Sequence, residues 1–176
     1  KWITIPQTNF RIGYFIADNY EISLGFDHMK YVIQRGQMSE EDTIYGRGYI
    51  NIKRRFLQFE HTDGLNYINF ELRRFDKIFT YKNICFNITE GLGAGFLFPK
   101  TNTKLLNKQR YDQFHLAGYG LNSVLALNIS YKRYFIQSEL KGGFINMPDI
   151  RTTKSTSDKA SQYFFFSQIN FLIGAT

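Results

Sequence analysis

Residues 121–144 read LNSVLALNISYKRYFIQSELKGGF, and this stretch decides the fold. Before Lys132-Arg133, the residues Leu121, Leu125, Leu127, Ile129 and Tyr131 hold odd positions, with Asn122, Ala126, Asn128 and Ser130 between them. After it, Tyr134, Ile136, Leu140 and Phe144 alternate with Gln137, Glu139, Lys141 and Gly143. Period two on both arms predicts a β-hairpin with one apolar and one polar face. An apolar face that ends in Tyr at its turn suits a lipid boundary.

The 176 residues are enough for one domain, and no linker or internal repeat divides them. The chain is 43% hydrophobic and 18% aromatic, yet its mean hydropathy is −0.32. Alternating apolar and polar positions account for that pairing of values. No run of about 18 apolar residues occurs, so a transmembrane helix is not expected. The chain has neither an initiator Met nor a signal peptide at its start, which reads as processing or trimming. Its single Cys85 can form no internal disulfide. The net charge of +7 is spread along the chain and not gathered in one tract, so no nucleic-acid partner is expected.

The same alternation recurs along the chain. Strands are expected from about Asn9 to Ile16, Tyr20 to Ile33, His61 to Arg74, Lys82 to Phe98, Tyr111 to Tyr131, Tyr134 to Met147 and Ser161 to Gly174. Residues 34–60 read as a loop with local β structure near Tyr49–Ile52, and Phe75–Tyr81 as a turn region. Short connections follow the first, third and fifth strands, and long ones follow the second, fourth and sixth. That asymmetry belongs to outer-membrane barrels. Aromatic residues gather at both strand ends: Tyr14, Tyr20, Tyr131, Tyr134 and Phe135 at the turns, and Phe96, Phe98, Tyr111, Phe114 and residues 163–166 at the loops. Two such girdles mark two interfaces. Arg11, Glu21, Asp27, Glu71, Arg73, Glu139 and Lys141 all fall on polar faces. In a barrel of about eight strands they fill the interior and neutralise one another, giving a plugged barrel.

The expectation is therefore an all-β, up-and-down antiparallel transmembrane barrel. Glu90 breaks its pattern, since strict alternation from Ile84 turns it outward. A bulge near Thr89–Gly91, permitted by Gly91, Gly93 and Gly95, is expected to bring its carboxylate inside. Seven strands is an odd count, whereas bacterial single-chain barrels have an even one. An upward strand before Lys1 is expected, with the first and last strands here separated or left unpaired at a seam.

The densest polar cluster is Glu60-His61-Thr62-Asp63-Gly64-Leu65-Asn66. His61, Asp63 and Glu71 share the interior face, with His61 and Asp63 at the outer rim. This arrangement is similar to outer-membrane lipases and lipid A deacylases, which carry a His-x-Ser pair near the outer leaflet. Here Asp63 stands where the Ser would be and cannot act as that nucleophile, and no local hydroxyl completes a triad. His28 and His115 also lie near the loop end, without a recognised metal-ligand spacing, and no cofactor is implied. Lys100, Lys104, Lys108, Arg110, Arg151, Lys154 and Lys159 crowd two outer loops at the level of lipopolysaccharide phosphates, which such side chains pair with well.

FDHMKYV (26–32), FLQFEHTDGLNY (56–67) and FIQSELKGGFINMPDIRTT (135–153) resemble segments of small outer-membrane barrels of Gram-negative Bacteroidota. The resemblance implies an outer-membrane location but brings no activity with it. Three functions are then open: a structural or accessory subunit of a larger envelope complex with other envelope proteins as partners, a lipid hydrolase using His61, and a transport barrel for a small hydrophobic molecule.

Overall fold

Tyr131 pairs with Tyr134 across a turn at Lys132-Arg133, and the ladder then runs without a shift to Tyr119 opposite Asn146. In the computed structural model, which describes residues 8–32, 38–43, 46–51, 57–105 and 111–176, this hairpin is one of three built alike. In order, the strands are β1 (Asn9–Ala17), β2 (Tyr20–Val32), β3 (Met38–Thr43), β4 (Gly46–Asn51), β5 (Leu57–Tyr81), β6 (Ile84–Leu97), β7 (Lys100–Leu105), β8 (Tyr111–Phe114), β9 (Gly118–Tyr131), β10 (Tyr134–Arg151) and β11 (Lys159–Ala175). The chain is all-β, with no helix among the described residues.

Seven long strands form one antiparallel sheet in the order β1-β2-β5-β6-β9-β10-β11. Tight turns at Asp18-Asn19, Lys82-Asn83 and Lys132-Arg133 lie at one end. The other end carries the longer connections. There β3 pairs with β4, and β7 pairs with both β8 and the start of β5. The alternation of short and long connections is therefore present as expected.

The sheet is apolar outside and polar inside. Ile68, Phe70, Leu72, Leu121, Leu125, Leu127, Ile136 and Leu140 are exposed, while Asp27, Glu71, Arg73, Glu139 and Lys141 are buried. Tyr14, Tyr20, Tyr131 and Tyr134 face outward at the turn end, as do Phe96, Phe98, Phe114, Tyr163 and Phe165 at the loop end. Phe135 does not. Its ring lies over Gly174, where a Cβ would come within 2.3 Å of it. Phe164 and Phe166 pack inward on a cluster of Met29, Leu65, Tyr67, Leu97, Ala117, Ile145, Met147 and Ile150. An apolar plug thus fills the loop end of the interior.

Three expectations are corrected. Residues 75–81 are not a turn region: β5 continues to Tyr81, which pairs with Ile84. A bulge between Lys77 and Phe79 flips the faces, so Ile78 and Phe79 are both exposed and the alternation is lost at that point. The segment Tyr111–Tyr131 is also not one strand, because β8 folds onto β7 and β9 begins only at Gly118.

The third correction concerns Glu90. Both ladders pass through it without a shift, opposite Arg74 on one side and Leu125 on the other. Glu90 is exposed on the outer face, so the expected bulge is not formed. Its register partner is a cation, which offsets the exposed charge. Arg74 also bridges Asp76 at 3.0 Å. The glycines make room for neighbours instead. A Cβ at Gly93 would meet the Glu71 side chain at 2.5 Å, and one at Gly95 would meet the Ile68 carbonyl at 2.2 Å. Gly93 thus makes room for the Glu71 side chain, and Gly95 for the β5 backbone at Ile68–Asn69.

Candidate functional site in the sheet interior

Period-two alternation aims Asn69, Glu71 and Arg73 of β5 at the same interior space as Arg11, Asp27 and Lys141. Glu71 is the hub. Its carboxylate receives Arg11 at 2.9 Å, Arg73 at 2.7 Å and Lys141 at 2.7 Å. Asn122 donates to it at 2.8 Å, and Tyr67 donates to Asn122 at 2.9 Å. Lys141 also bridges Asp27, and Arg73 bridges Glu139 at 2.9 Å. Arg11, Arg73 and Lys141 thus balance Asp27, Glu71 and Glu139. Desolvated charges persist only when paired and hydrogen-bonded in this way.

Amides extend the network downward. Gln137 donates to Glu139 at 3.1 Å, Asn128 to Gln137 at 3.2 Å and Asn87 to Asn128 at 3.1 Å. Asn170 donates to Glu139 at 3.1 Å, and Asn9 to Asn170 at 3.0 Å. Every long strand contributes. The Lys141–Asp27 pair joins β10 to β2 across the interior, so the sheet is curled into a barrel-like form. The amides were legible as the same-face neighbours of the charges; their pairing was not.

The interior is not filled throughout. Toward the turns lies a cleft of about 1110 Å³, lined by residues 9–15 of β1 and 172–176 at the end of β11. Glu21, Asn87, Asn128, Ser130 and Gln137 face into it, and Lys77 and Lys132 line it at its mouth. Among the described residues, no backbone ladder joins β1 to β11. They meet through the Asn9–Asn170 side-chain contact, and the cleft opens below it.

His61 and Glu71 are not brought together. They are separated by ten residues of β5, about 30 Å of extended chain. His61 is buried beneath β7, with Nδ1 3.1 Å from Thr101 Oγ1. Burial, aided by nearby His115, pushes its imidazole down to about 4, so it is neutral at pH 7. With no exposed face, His61 acts as a joint between sheet and loop. The Asp63 side chain lies outside the described residues.

His115 is equally structural: its Nε2 lies 2.9 Å from the Asp149 carbonyl, and the Arg151 amide donates to it at 3.0 Å. His28 Nδ1 lies 2.9 Å from Asn66 Oδ1. Gly64, at φ +95°, lets these two approach, since a Cβ there would meet the His28 ring at 2.2 Å. No metal-binding group of His, Cys, Asp and Glu forms among the described residues.

The basic loops meet at the loop end, joined by the His115 contacts to residues 149–151. Lys100 lies over the Phe114 ring at 5.8 Å, Arg151 is half-buried and Lys154 exposed, and Lys159 bridges Asp149 at 2.9 Å. The Lys104 side chain and all of Lys108 and Arg110 lie outside the described residues. No protein-family model, curated protein or solved structure matches the chain.

Proposed function

We propose that the chain is a non-enzymatic outer-membrane β-barrel of a Gram-negative bacterium, acting as a structural or accessory subunit of a larger envelope complex. One observation carries the reading: the sheet is inverted, with aliphatic side chains outside and a balanced set of ion pairs inside. An apolar outer face is costly in water and favourable in lipid, while backbone pairing in a sheet satisfies the polar groups that lipid cannot. The Arg74–Asp76–Glu90 patch interrupts that face. Arg74 is the register partner of Tyr20 on β2, and Glu90 that of Leu125 on β9. His61 is itself fully buried with its Nδ1 against Thr101 Oγ1, which favours a non-enzymatic role over hydrolysis by this residue.

The test is direct. Leu127→Trp, on the outer face, is expected to show blue-shifted emission that is quenched by lipids brominated on their acyl chains. Emission typical of water, without quenching in the same vesicles, overturns the reading.

The loop-end cations support contact with lipopolysaccharide phosphates. Replacing Lys100, Lys104 and Lys108 together by Gln is expected to lower the lipopolysaccharide retained in mild detergent several-fold, because each lost phosphate contact weakens binding. Changing Lys132 and Arg133, at the opposite end, is expected to leave retention unchanged. Equal retention in both variants removes lipopolysaccharide from the proposal.

A further inference from the structure

We infer that two lysine-bearing turns, Lys82-Asn83 and Lys132-Arg133, form a surface that binds the headgroups of anionic phospholipid in the leaflet beside them. The inference rests on the membrane-barrel reading and names the lipid that the turn end selects.

The two turns lie side by side. Tyr81 is the register partner of Ile84, Ile84 of Tyr131, and Tyr131 of Tyr134. Their hairpins are neighbours in the sheet, which puts the turns about 10 Å apart, twice the spacing of paired strands. Tyr81, Tyr131 and Tyr134 are exposed just above them. Lys82 Nζ lies 5.4 Å from the centroid of the Tyr81 ring, and Lys132 Nζ lies 5.3 Å from that of Tyr131. Tyrosine rings sit at headgroup level in a membrane. An ammonium held against such a ring is therefore at the level of the phosphates.

The charge of these turns has one sign. Lys82, Lys132 and Arg133 are all exposed. The sequence holds no acid from Lys77 to Thr89 and none from Gln113 to Ser138. Asp76, the nearest acid before Tyr81 on β5, bridges Arg74 at 3.0 Å. The third tight turn carries Asp18, but its Asn19 carbonyl accepts from the Phe75 amide at 2.8 Å. Phe75 and Tyr81 are about 20 Å apart along the extended β5. The two lysine turns thus present cations and aromatic rings without a competing carboxylate, the chemistry that suits a phosphate with a net negative headgroup.

The backbone points the same way. Lys82 and Lys132 take φ of +52° and +54°, the only positive values at non-glycine positions among the described residues. Hairpin turns fill such positions mainly with Gly, Asn or Asp. A long side chain there is strained where glycine is not, and both turns keep a lysine. Turn formation alone does not account for that choice.

The experiment reads the lipid next to these turns. Ile129→Trp, on the outer face of β9 above Tyr131, is made in the full chain with Trp2→Phe. The protein is placed in phosphatidylcholine vesicles with a minor share of phosphatidylglycerol, and either lipid is brominated on its acyl chains in turn. Each cation near an anionic surface changes binding about fivefold. Quenching is expected to show phosphatidylglycerol enriched at least about fivefold over its bulk share. Lys82→Gly with Lys132→Gly is expected to return it to the bulk share while leaving stability to urea unchanged or raised, since glycine adopts positive φ freely. Lys82→Asn with Lys132→Asn gives the same loss, and Lys82→Arg with Lys132→Arg keeps the enrichment. Salt at about 1 M, where screening acts over about 3 Å, removes it. The inference is overturned if the unaltered turns show no enrichment, or if enrichment survives in both the glycine and the asparagine variants. Protein quenched by both brominated lipids without preference loses the headgroup inference and keeps the barrel. Protein quenched by neither, at Ile129→Trp and at Leu127→Trp, loses both.

Discussion

Glu71→Gln is expected to destabilise the folded sheet by roughly 3–5 kcal/mol, the cost of breaking a buried ion pair by removing one partner. The change preserves shape and removes one charge. Arg11 then loses its Glu71 ion pair while Arg73 keeps Glu139 and Lys141 keeps Asp27, and Glu21, which interacts with Arg73 and Arg11, offsets only part of that loss. Removing a pair whole is a different experiment. Glu71→Gln combined with Arg11→Met leaves Arg73–Glu139 and Lys141–Asp27 as balanced pairs. The double variant is expected to recover about 1–3 kcal/mol relative to the sum of the single changes. Urea unfolding in detergent micelles, followed by aromatic fluorescence, measures both. A loss below about 1 kcal/mol for Glu71→Gln places the hub's contribution in the range of an exposed surface pair, and the network then does not hold the strands together.

That network was legible in outline. The hairpin at residues 121–144 repeats one period without a bulge, so its two faces could be assigned by counting. The same counting placed Arg11, Asp27, Glu71, Arg73, Glu139 and Lys141 inside. It failed where the backbone departs from period two. The Lys77–Phe79 bulge turns two consecutive apolar residues outward, and local sequence does not distinguish that from the end of a strand.

Counting also failed where a glycine's purpose lies on another strand. Gly93 and Gly95 look like bulge formers within β6, but the groups they make room for belong to β5. The loop-end plug was hidden for a similar reason. Leu65, Tyr67, Ile145 and Met147 keep the interior phase of their strands but are apolar. They face one another across the curled sheet, a relation set by topology. His61 read as a rim residue because the strand covering it, β7, is distant in sequence.

Leu140→Arg separates the two environments in which an inverted sheet could be read. Leu140 is exposed on the outer face, between Leu125 and Ile169 in the adjoining strands. On its own strand it is six residues above Tyr134, the turn-end aromatic, which places it well inside the apolar band. Its register partners carry no charge, so an arginine there gains no ion pair from them. A side chain of this exposure in water tolerates the change within about 0.5 kcal/mol, and the added charge helps solubility. In a bilayer, an arginine near the midplane costs about 2–4 kcal/mol, falling to about 0–1 near the interfaces. The expected result in lipid vesicles is therefore a loss of about 2–4 kcal/mol for Leu140→Arg, and a loss below about 1 kcal/mol for Tyr134→Arg at the turn-end girdle. The difference between the two positions matters more than either value, because depth dependence arises only if a hydrocarbon layer covers the strand. Equal, small effects at both positions would mean that the apolar face is covered by something other than lipid.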